Sequence, residues 1–221
     1  LRCIPLECES QHIEDIKARI IRCVGNADDR FDEDALRVMR ALRFASVYGF
    51  VISEDTSNAI HRKAENLNNI SVERINTELC KLVCGKGVLD ILLNYSDVIS
   101  TIIPEIKPCI GFNQNNRYHQ YTIYDHIAHA VSNYTRSDII VKIALLLHDI
   151  GKPTCYTEDE NGGHFYGHGV PSRDIAERVV INLTSRNPDR SFSEQVSPFF
   201  VGPVTGPDGA TAPNLEVFWQ V

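Results

Sequence analysis

The stretch SDIIVKIALLLHDIGKP, residues 137–153, decides the fold. From Ile139 to Leu147 it is apolar nearly all round, interrupted only by Lys142. The run is far shorter than the ~20 apolar residues that cross a bilayer. A helix apolar on every side belongs at the centre of a bundle. Gly151 and Pro153 stop it, as glycine and proline do at helix ends. His148 and Asp149 therefore close the most buried helix of the chain.

Outward from this centre the chain reads as helix after helix. YTIYDHIAHAVSNY (121–134) sets Ile123, Ile127, Ala130/Val131 and Tyr134 at helical spacing, and PSRDIAERVVINL (171–183) forms a last amphipathic helix with Ser172 as its cap. Upstream, residues 12–22 place Ile13, Ile16, Ile20 and Ile21 on one side. The acidic run NADDRFDED follows and reads as a capping loop. ALRVMRALRFASVYGF (35–50) carries apolar residues at Ala35, Val38/Met39, Leu42 and Ala45/Ser46, and Gly49 ends it. Ser53 is the expected N-cap of the next helix. SVERINTELCKLVCG (71–85) has Val72, Ile75, Leu79 and Leu82/Val83 on one face, between Ser71 and Gly85. Two short helices, GVLDILLNY and SDVISTII, stop at Pro104, and 107–118 reads as loop. Strand alternation is confined to a short IIRCVG. The fold class is all-α: a first helical segment (12–106), then a helical bundle (107–185). Residues 1–11 and the Pro/Gly-rich 186–221 show no period, and the tail reads as loop or disorder.

Composition narrows the function classes. The chain has 221 residues, 43% hydrophobic and 23% charged, enough to bury a core without disulfides. Neither a membrane span nor a secretory leader is expected, and the seven cysteines, with no CxxC spacing, read as reduced cytoplasmic thiols. A net charge of −7 argues against a globally basic nucleic-acid binder but not against a local arginine stripe. Lys81, Lys86, Arg62 and Lys63 are scattered, as solvated basic residues usually are. The chain begins at Leu1, and its only methionine is Met39, so it reads as an internal piece.

Six of the eight histidines fall in residues 119–168. His126 lies beside the apolar stripe of one helix, His148-Asp149 close another, and His164 and His168 follow in GGHFYGHG. Imidazoles with a carboxylate are a ligand set for first-row transition metals. Such a site activates water for phosphoester hydrolysis. Singly, each histidine is more often structural than a ligand; together His126, His148, Asp149 and His168 point to a metal site, with His119, His129 and His164 around it. The order His126, then His148-Asp149-Ile-Gly-Lys-Pro, resembles the HD domain family of metal-dependent phosphohydrolases. That resemblance implies His126, His148 and Asp149 as ligands, His168 as the fourth candidate, Lys152 in support, and Ni, Mn or Co as metal. It also implies a later Asp, for which Asp174 is the candidate.

A second constellation is Glu33-Asp34-Ala-Leu-Arg37-Val-Met-Arg40-Ala-Leu-Arg43. At i, i+3 spacing Asp34 and Arg37 share a helix face, and Arg40 and Arg43 continue it. A carboxylate and a guanidinium side by side can read a base edge, and further arginines can hold phosphates. Spacing alone favours a salt-bridged, solvated helix face. RFDEDALRVMRALRFA, however, looks like the EDxxR motif of class II tRNA nucleotidyltransferases, the CCA-adding enzymes and their poly(A) polymerase relatives. ISVERINTEL resembles that family's ERxxxE segment, with Glu73, Arg74 and Glu78 in place. NQNNRYHQYTIYDH, LLHDIGKP and HFYGHG follow in the order of its bacterial, HD-bearing members.

The resemblance spans about Ile13 to Leu183. It implies CTP and ATP as ligands paired by Asp34 and Arg37, with Arg40 and Arg43 as further contacts, and the tRNA acceptor arm as partner. The family's head domain, with its GxSxR-type turn and Mg2+-binding DxD carboxylates, is not represented here, so nucleotide addition by this chain alone is not expected. Two other readings stay open: a free-standing HD phosphohydrolase on nucleotides or cyclic phosphates, and a non-catalytic helical RNA-binding fragment. A plain HD enzyme has no need of the EDxxR and ERxxxE helices, which favours the first reading.

Overall fold

The computed structural model describes residues 6–115, 120–160, 162–183, 204–205 and 211–212. The chain divides into two compact units, Leu1–Thr101 and Ile102–Val221. Helices dominate both, as expected, and the sheets are two-stranded ladders only.

The first unit runs α1 (Leu6–Ala18), β1 (Ile20–Ile21), α2 (Ala27–Glu33), α3 (Leu36–Tyr48), β2 (Val51–Ile52), α4 (Glu54–Lys63), a 3₁₀ turn (Ala64–Asn69), α5 (Val72–Val83) and α6 (Val88–Asn94), with α7 (Ser96–Ile102) at its edge. Its core is the pairing of α3 with α5. Val38, Met39, Leu42 and Ala45 are buried on one helix, and Ile75, Leu79, Leu82 and Val83 on the other. Gly49 ends α3 in the left-handed region (φ 62°), where glycine alone carries no Cβ penalty. Ser53 and Ser71 stand at the N-cap positions of α4 and α5, but neither side chain caps: the Ser53 hydroxyl donates to Thr56 Oγ1 (2.9 Å) instead.

The acidic run is not a loop. It folds as α2, with the Asn26 side chain accepting the Asp29 N–H (3.2 Å), Asp28 and Asp29 in the first turn, and Phe31 buried as its single anchor. Carboxylates at a helix N-terminus suit its dipole. The short strand in IIRCVG is present as β1, which pairs in parallel with β2 through Ile20↔Val51 and Ile21↔Ile52.

The second unit contains a 3₁₀ turn (Pro104–Cys109) where a loop was expected to begin, α8 (Ile123–Asn133), α9 (Ile139–Leu147), a 3₁₀ turn (Lys152–Cys155), the strands β3 (Thr157–Asp159) and β4 (Gly162–His164), and α10 (Gly169–Leu183). Thr122 caps α8 and Asp138 caps α9 through their side chains. All six residues from Lys142 to Leu147 are buried, so α9 is the central helix. Lys142 tolerates this by donating to the Val131 carbonyl near the end of α8. The helix stops at Leu147, and His148 and Asp149 lie in the turn that follows.

Ser172 is not a cap. It lies inside α10, fully buried, and its hydroxyl accepts the Gly151 N–H (3.0 Å). A Cβ on Gly151 would lie 2.4 Å from the Ser172 nitrogen, so glycine here permits close approach as well as ending a helix. β3 and β4 form a hairpin with Thr157↔His164, Glu158↔Gly163 and Asp159↔Gly162. In the tail, β5 (Val204–Thr205) and β6 (Thr211–Ala212) pair antiparallel, where no period was read. The rest of 186–221, residues 1–5 and His119 lie outside the described residues.

The α3–α5 pairing is tightest at its C-terminal end. There the Ser46 hydroxyl donates to the Leu82 carbonyl (2.7 Å), and a Cβ on Gly85 would meet Ser46 Oγ at 2.2 Å and its carbonyl carbon at 2.5 Å. Backbone cannot yield as a side chain can. Gly85→Ala is therefore expected to destabilise the first unit by about 1–3 kcal/mol. Denaturant unfolding followed by circular dichroism reads this; an unchanged midpoint would contradict the packing.

Candidate functional site

Two groups of side chains carry chemistry, one in each unit. In the first unit the chain breaks helix between α2 and α3. Asp34 has extended backbone there (φ −153°, ψ 101°), so it does not lie on one continuous helix face with Arg37. Its Oδ1 accepts the Leu36 N–H (3.1 Å), and its Oδ2 faces the Arg74 guanidinium of α5 (3.3 Å). Arg37 turns instead to Glu33 Oε2 (2.7 Å) and the Arg30 carbonyl (3.1 Å). Hydrogen bonds from Arg37 and Arg30 hold the Glu33 carboxyl below its usual range.

Asp34 and Arg37 both stay accessible, with side chains 31% and 38% exposed. A hollow of about 580 Å³ opens beside Asp34, lined by Phe31, Asn66, Asn69, Ile70 and Arg74 among others. Arg40 is exposed and, among the described residues, ion-paired to none. Arg43 is different: its guanidinium lies over the Phe44 ring (3.8 Å) and pairs with Glu78, both partners mostly buried. Arg74 and Glu78, one turn apart on α5, thus receive Asp34 and Arg43 from the joint and from α3. Glu73 sits in the first turn of α5. Asp32 of the DED run pairs with Lys63 (2.6 Å) and Asn66 (3.1 Å) and is not part of a carboxylate pair poised for metal.

In the second unit His126, His148, Asp149 and His168 converge from α8, the turn after α9 and the turn before α10. His148 Nε2 is 3.3 Å from His126 Nε2 and 3.3 Å from Asp149 Oδ2. His126 Nε2 is 3.4 Å from the same Oδ2, and His168 Nε2 is 3.3 Å from Oδ1. The Asp149 carboxylate therefore faces two ways.

Both flanking imidazoles are fixed from behind. His148 Nδ1 donates to the Leu145 carbonyl (2.7 Å), and His168 Nδ1 to the Phe165 carbonyl (2.7 Å). A donor bond at Nδ1 leaves the Nε2 lone pair free to ligate. The candidate ligand atoms of His126, His148 and Asp149 lie within 4.8 Å of one another. Two imidazoles and a carboxylate so arranged fit a divalent transition metal, while His168 meets the other oxygen of Asp149 and lies outside that group.

Charge explains the rest of the site. Burial pushes the Asp149 carboxyl upward, but the His148 charge, hydrogen bonds from His148 and His168, and the Lys152 charge outweigh it and hold the group well below the carboxylate range. The hydrogen bond to Asp149 raises His168 against the opposing effect of burial. Lys152 Nζ lies 2.8 Å from Asp149 Oδ2. Burial, reinforced by Asp149, pushes the Cys109 thiol up to about 12 and keeps it inert.

Asp174 does not join this cluster: it pairs with Arg173 (2.8 Å) at the surface. His164 pairs with Asp159 (3.0 Å) across the hairpin, and His129 stacks on Tyr121 (4.2 Å between centroids). The residue that sequence reasoning missed is Gln114, fully buried, whose Oε1 accepts from Lys152 (3.1 Å). A lone glutamine in a polar loop gives no periodic or motif signal.

Comparison with known proteins bears on both units. Residues 49–110 match the family described as "Probable RNA and SrmB- binding site of polymerase A", and residues 118–197 match the HD domain. The chain is 52% identical over 79 residues to the CCA-adding enzyme of Geobacillus kaustophilus (36% of this chain, 20% of that protein). It is 47% identical over 94 residues to the CCA-adding enzyme of Lactobacillus delbrueckii subsp. bulgaricus (42% of this chain, 23% of that protein). Those alignments span about a fifth of the relatives' length. Among solved structures, the Bacillus stearothermophilus CCA-adding enzyme in complex with CTP aligns at 27% identity with a TM-score of 0.46, over 83% of this chain and 46% of that one. Residues 49–110 are thus similar to a polymerase-A-type region and residues 118–197 to an HD domain, and over about two fifths of its length or less the chain is similar to CCA-adding enzymes.

Proposed function

We propose that this chain serves tRNA 3′-end processing as the template, neck and HD portion of a CCA-type tRNA nucleotidyltransferase, and that its HD site is a metal-dependent phosphohydrolase. The observation that carries this reading is the presence, in one chain, of Asp34 paired with Arg74 beside an accessible Arg37, of Arg43 paired with Glu78, and of the His126/His148/Asp149/His168 cluster.

In the first unit Asp34 and Arg37 read the base of CTP or ATP, Arg40 meets phosphate, and Arg43 with Glu78 sets the helix that presents them. The tRNA acceptor arm is the partner, and the cytoplasm the setting. Nucleotidyl transfer itself requires a Mg2+-binding head domain, which this reading assigns to the whole protein. In the second unit His126, His148, Asp149 and His168 would hold a transition metal such as Ni, Mn or Co. When bound, it supplies Lewis acidity and an activated water. The chain's own residues do the rest. The Leu145 and Phe165 carbonyls fix the imidazoles, Asp149 orients toward both sides of the site, and Lys152 neutralises its charge.

Two outcomes are expected. With Mn2+, Ni2+ or Co2+ the chain hydrolyses 2′,3′-cyclic AMP, and His148→Ala reduces turnover to background while the far-ultraviolet spectrum is unchanged. Equal turnover in the variant, or none with any metal, would remove the hydrolase reading. In equilibrium binding, CTP and ATP are preferred over GTP and UTP, and Arg37→Ala flattens the preference. A lost base-edge contact is worth about 1–3 kcal/mol. A wild-type chain that does not discriminate the four would favour the plain RNA-binding fragment.

A further inference from the structure

The Lys152 ammonium is almost wholly buried, yet it is placed where a metal needs the site. It lies 2.8 Å from Asp149 Oδ2, and the same oxygen is 3.3 Å from His148 Nε2 and 3.4 Å from His126 Nε2. A divalent cation held by those two imidazoles and Asp149 must share that oxygen with the ammonium. A divalent cation and an ammonium that share one carboxylate oxygen repel each other even at the effective dielectric of a protein site. A buried carboxylate without a counter-charge is itself costly by several kcal/mol. Lys152 therefore does two opposed things: it neutralises Asp149 when no metal is present, and it resists a metal's arrival.

Gln114 is built to hold that ammonium. It is fully buried; its Nε2 donates to the Tyr121 carbonyl (3.0 Å), which turns Oε1 toward Lys152 at 3.1 Å. Its loop is pinned by the hairpin. The Gly163 N–H donates to the Asn115 carbonyl (2.8 Å), and a Cβ on Gly163 would lie 2.3 Å from the Gln114 carbonyl oxygen. The Phe165 ring closes another side, 5.4 Å from Nζ. Away from Asp149, Gln114 Oε1 is the hydrogen-bond acceptor of the ammonium among the described residues, and the bond from Nε2 to the Tyr121 carbonyl holds it there.

We propose that Lys152 is a built-in counter-cation of the His/Asp cluster, competing with a divalent metal for Asp149 Oδ2, and that Gln114 is the positioning residue that keeps the ammonium solvated when Asp149 is shared. This rests on the reading of the cluster as a metal site. Its consequence is a metal affinity set by two residues that are not ligands.

The test is titration calorimetry of the full chain with Co2+ alone, beside thermal unfolding in chelator. Lys152→Met and Lys152→Gln are both expected to bind Co2+ at least roughly tenfold more tightly than wild type. Both should also unfold at lower temperature without metal, and the glutamine variant keeps hydrogen bonding should the methionine variant fail to fold. Gln114→Leu is expected to bind Co2+ more weakly, and that loss should vanish when combined with Lys152→Gln. Tight binding by the Lys152 variants with none by wild type would sustain the inference and remove the hydrolase reading. Equal affinity in wild type and both Lys152 variants would overturn the inference and leave the metal site standing. No binding by any of them would remove both.

Discussion

Asp149 is a carboxylate kept almost wholly out of water at the end of the most apolar helix of the chain. An isolated charge in such a place would cost several kcal/mol. The second unit is arranged so that it is never isolated. α8 brings His126, the turn after α9 brings His148, the following 3₁₀ turn brings Lys152, and the turn before α10 brings His168. His126 and His168 are distant from Asp149 in sequence, so the carboxylate ties α8 and the turn before α10 to the turn after α9. The close approach of Gly151 to Ser172 serves the same end, since it sets α10, and with it His168, against the turn that carries Asp149.

The apolar character of α9 and the polarity of the site are one design. A helix that is apolar all round fixes its own position by packing. Its last turn therefore leaves His148 and Asp149 at a defined place with little freedom. Carbonyls freed at helix ends and in turns then act as acceptors: Leu145 O and Phe165 O each take an imidazole N–H. The groups left without helical partners become the fixtures that hold the imidazoles in one tautomer.

Much of this was readable from sequence, and the reasons it was or was not are physical. α3, α5 and α8 are long enough for period 3.6 to show, α9 shows by being apolar nearly all round, and His126, His148, Asp149 and His168 stand out because six of the eight histidines crowd into residues 119–168. α2 escaped because seven residues with a single buried Phe31 have no period to detect. β1 was legible in IIRCVG, but β2, β3 and β4 escaped because alternation needs more residues than they have. Ser172 was read as a cap because serine before an apolar stripe usually is one; tertiary contact with Gly151 gave it another use. Asp174 had the right residue type, but its neighbour Arg173 holds it at the surface. Gln114 could not be found at all, because its role exists only once Lys152 is beside it.

The joint between α2 and α3 shows why spacing is an incomplete guide to which side chains meet. At i, i+3 on one helix, Asp34 and Arg37 would be neighbours, and two long charged side chains would be free to meet each other. The break at Asp34 removes that option. The carboxylate is instead fixed by the Leu36 N–H and by Arg74, and Arg37 by Glu33 and the Arg30 carbonyl, while both remain about a third exposed. A group that must discriminate between bases has to be rigid without being buried, because each lost rotamer otherwise costs binding energy. Helix interiors give rigidity through burial, and loops give exposure through mobility. A capped break between two helices, clamped from α5, gives both at once.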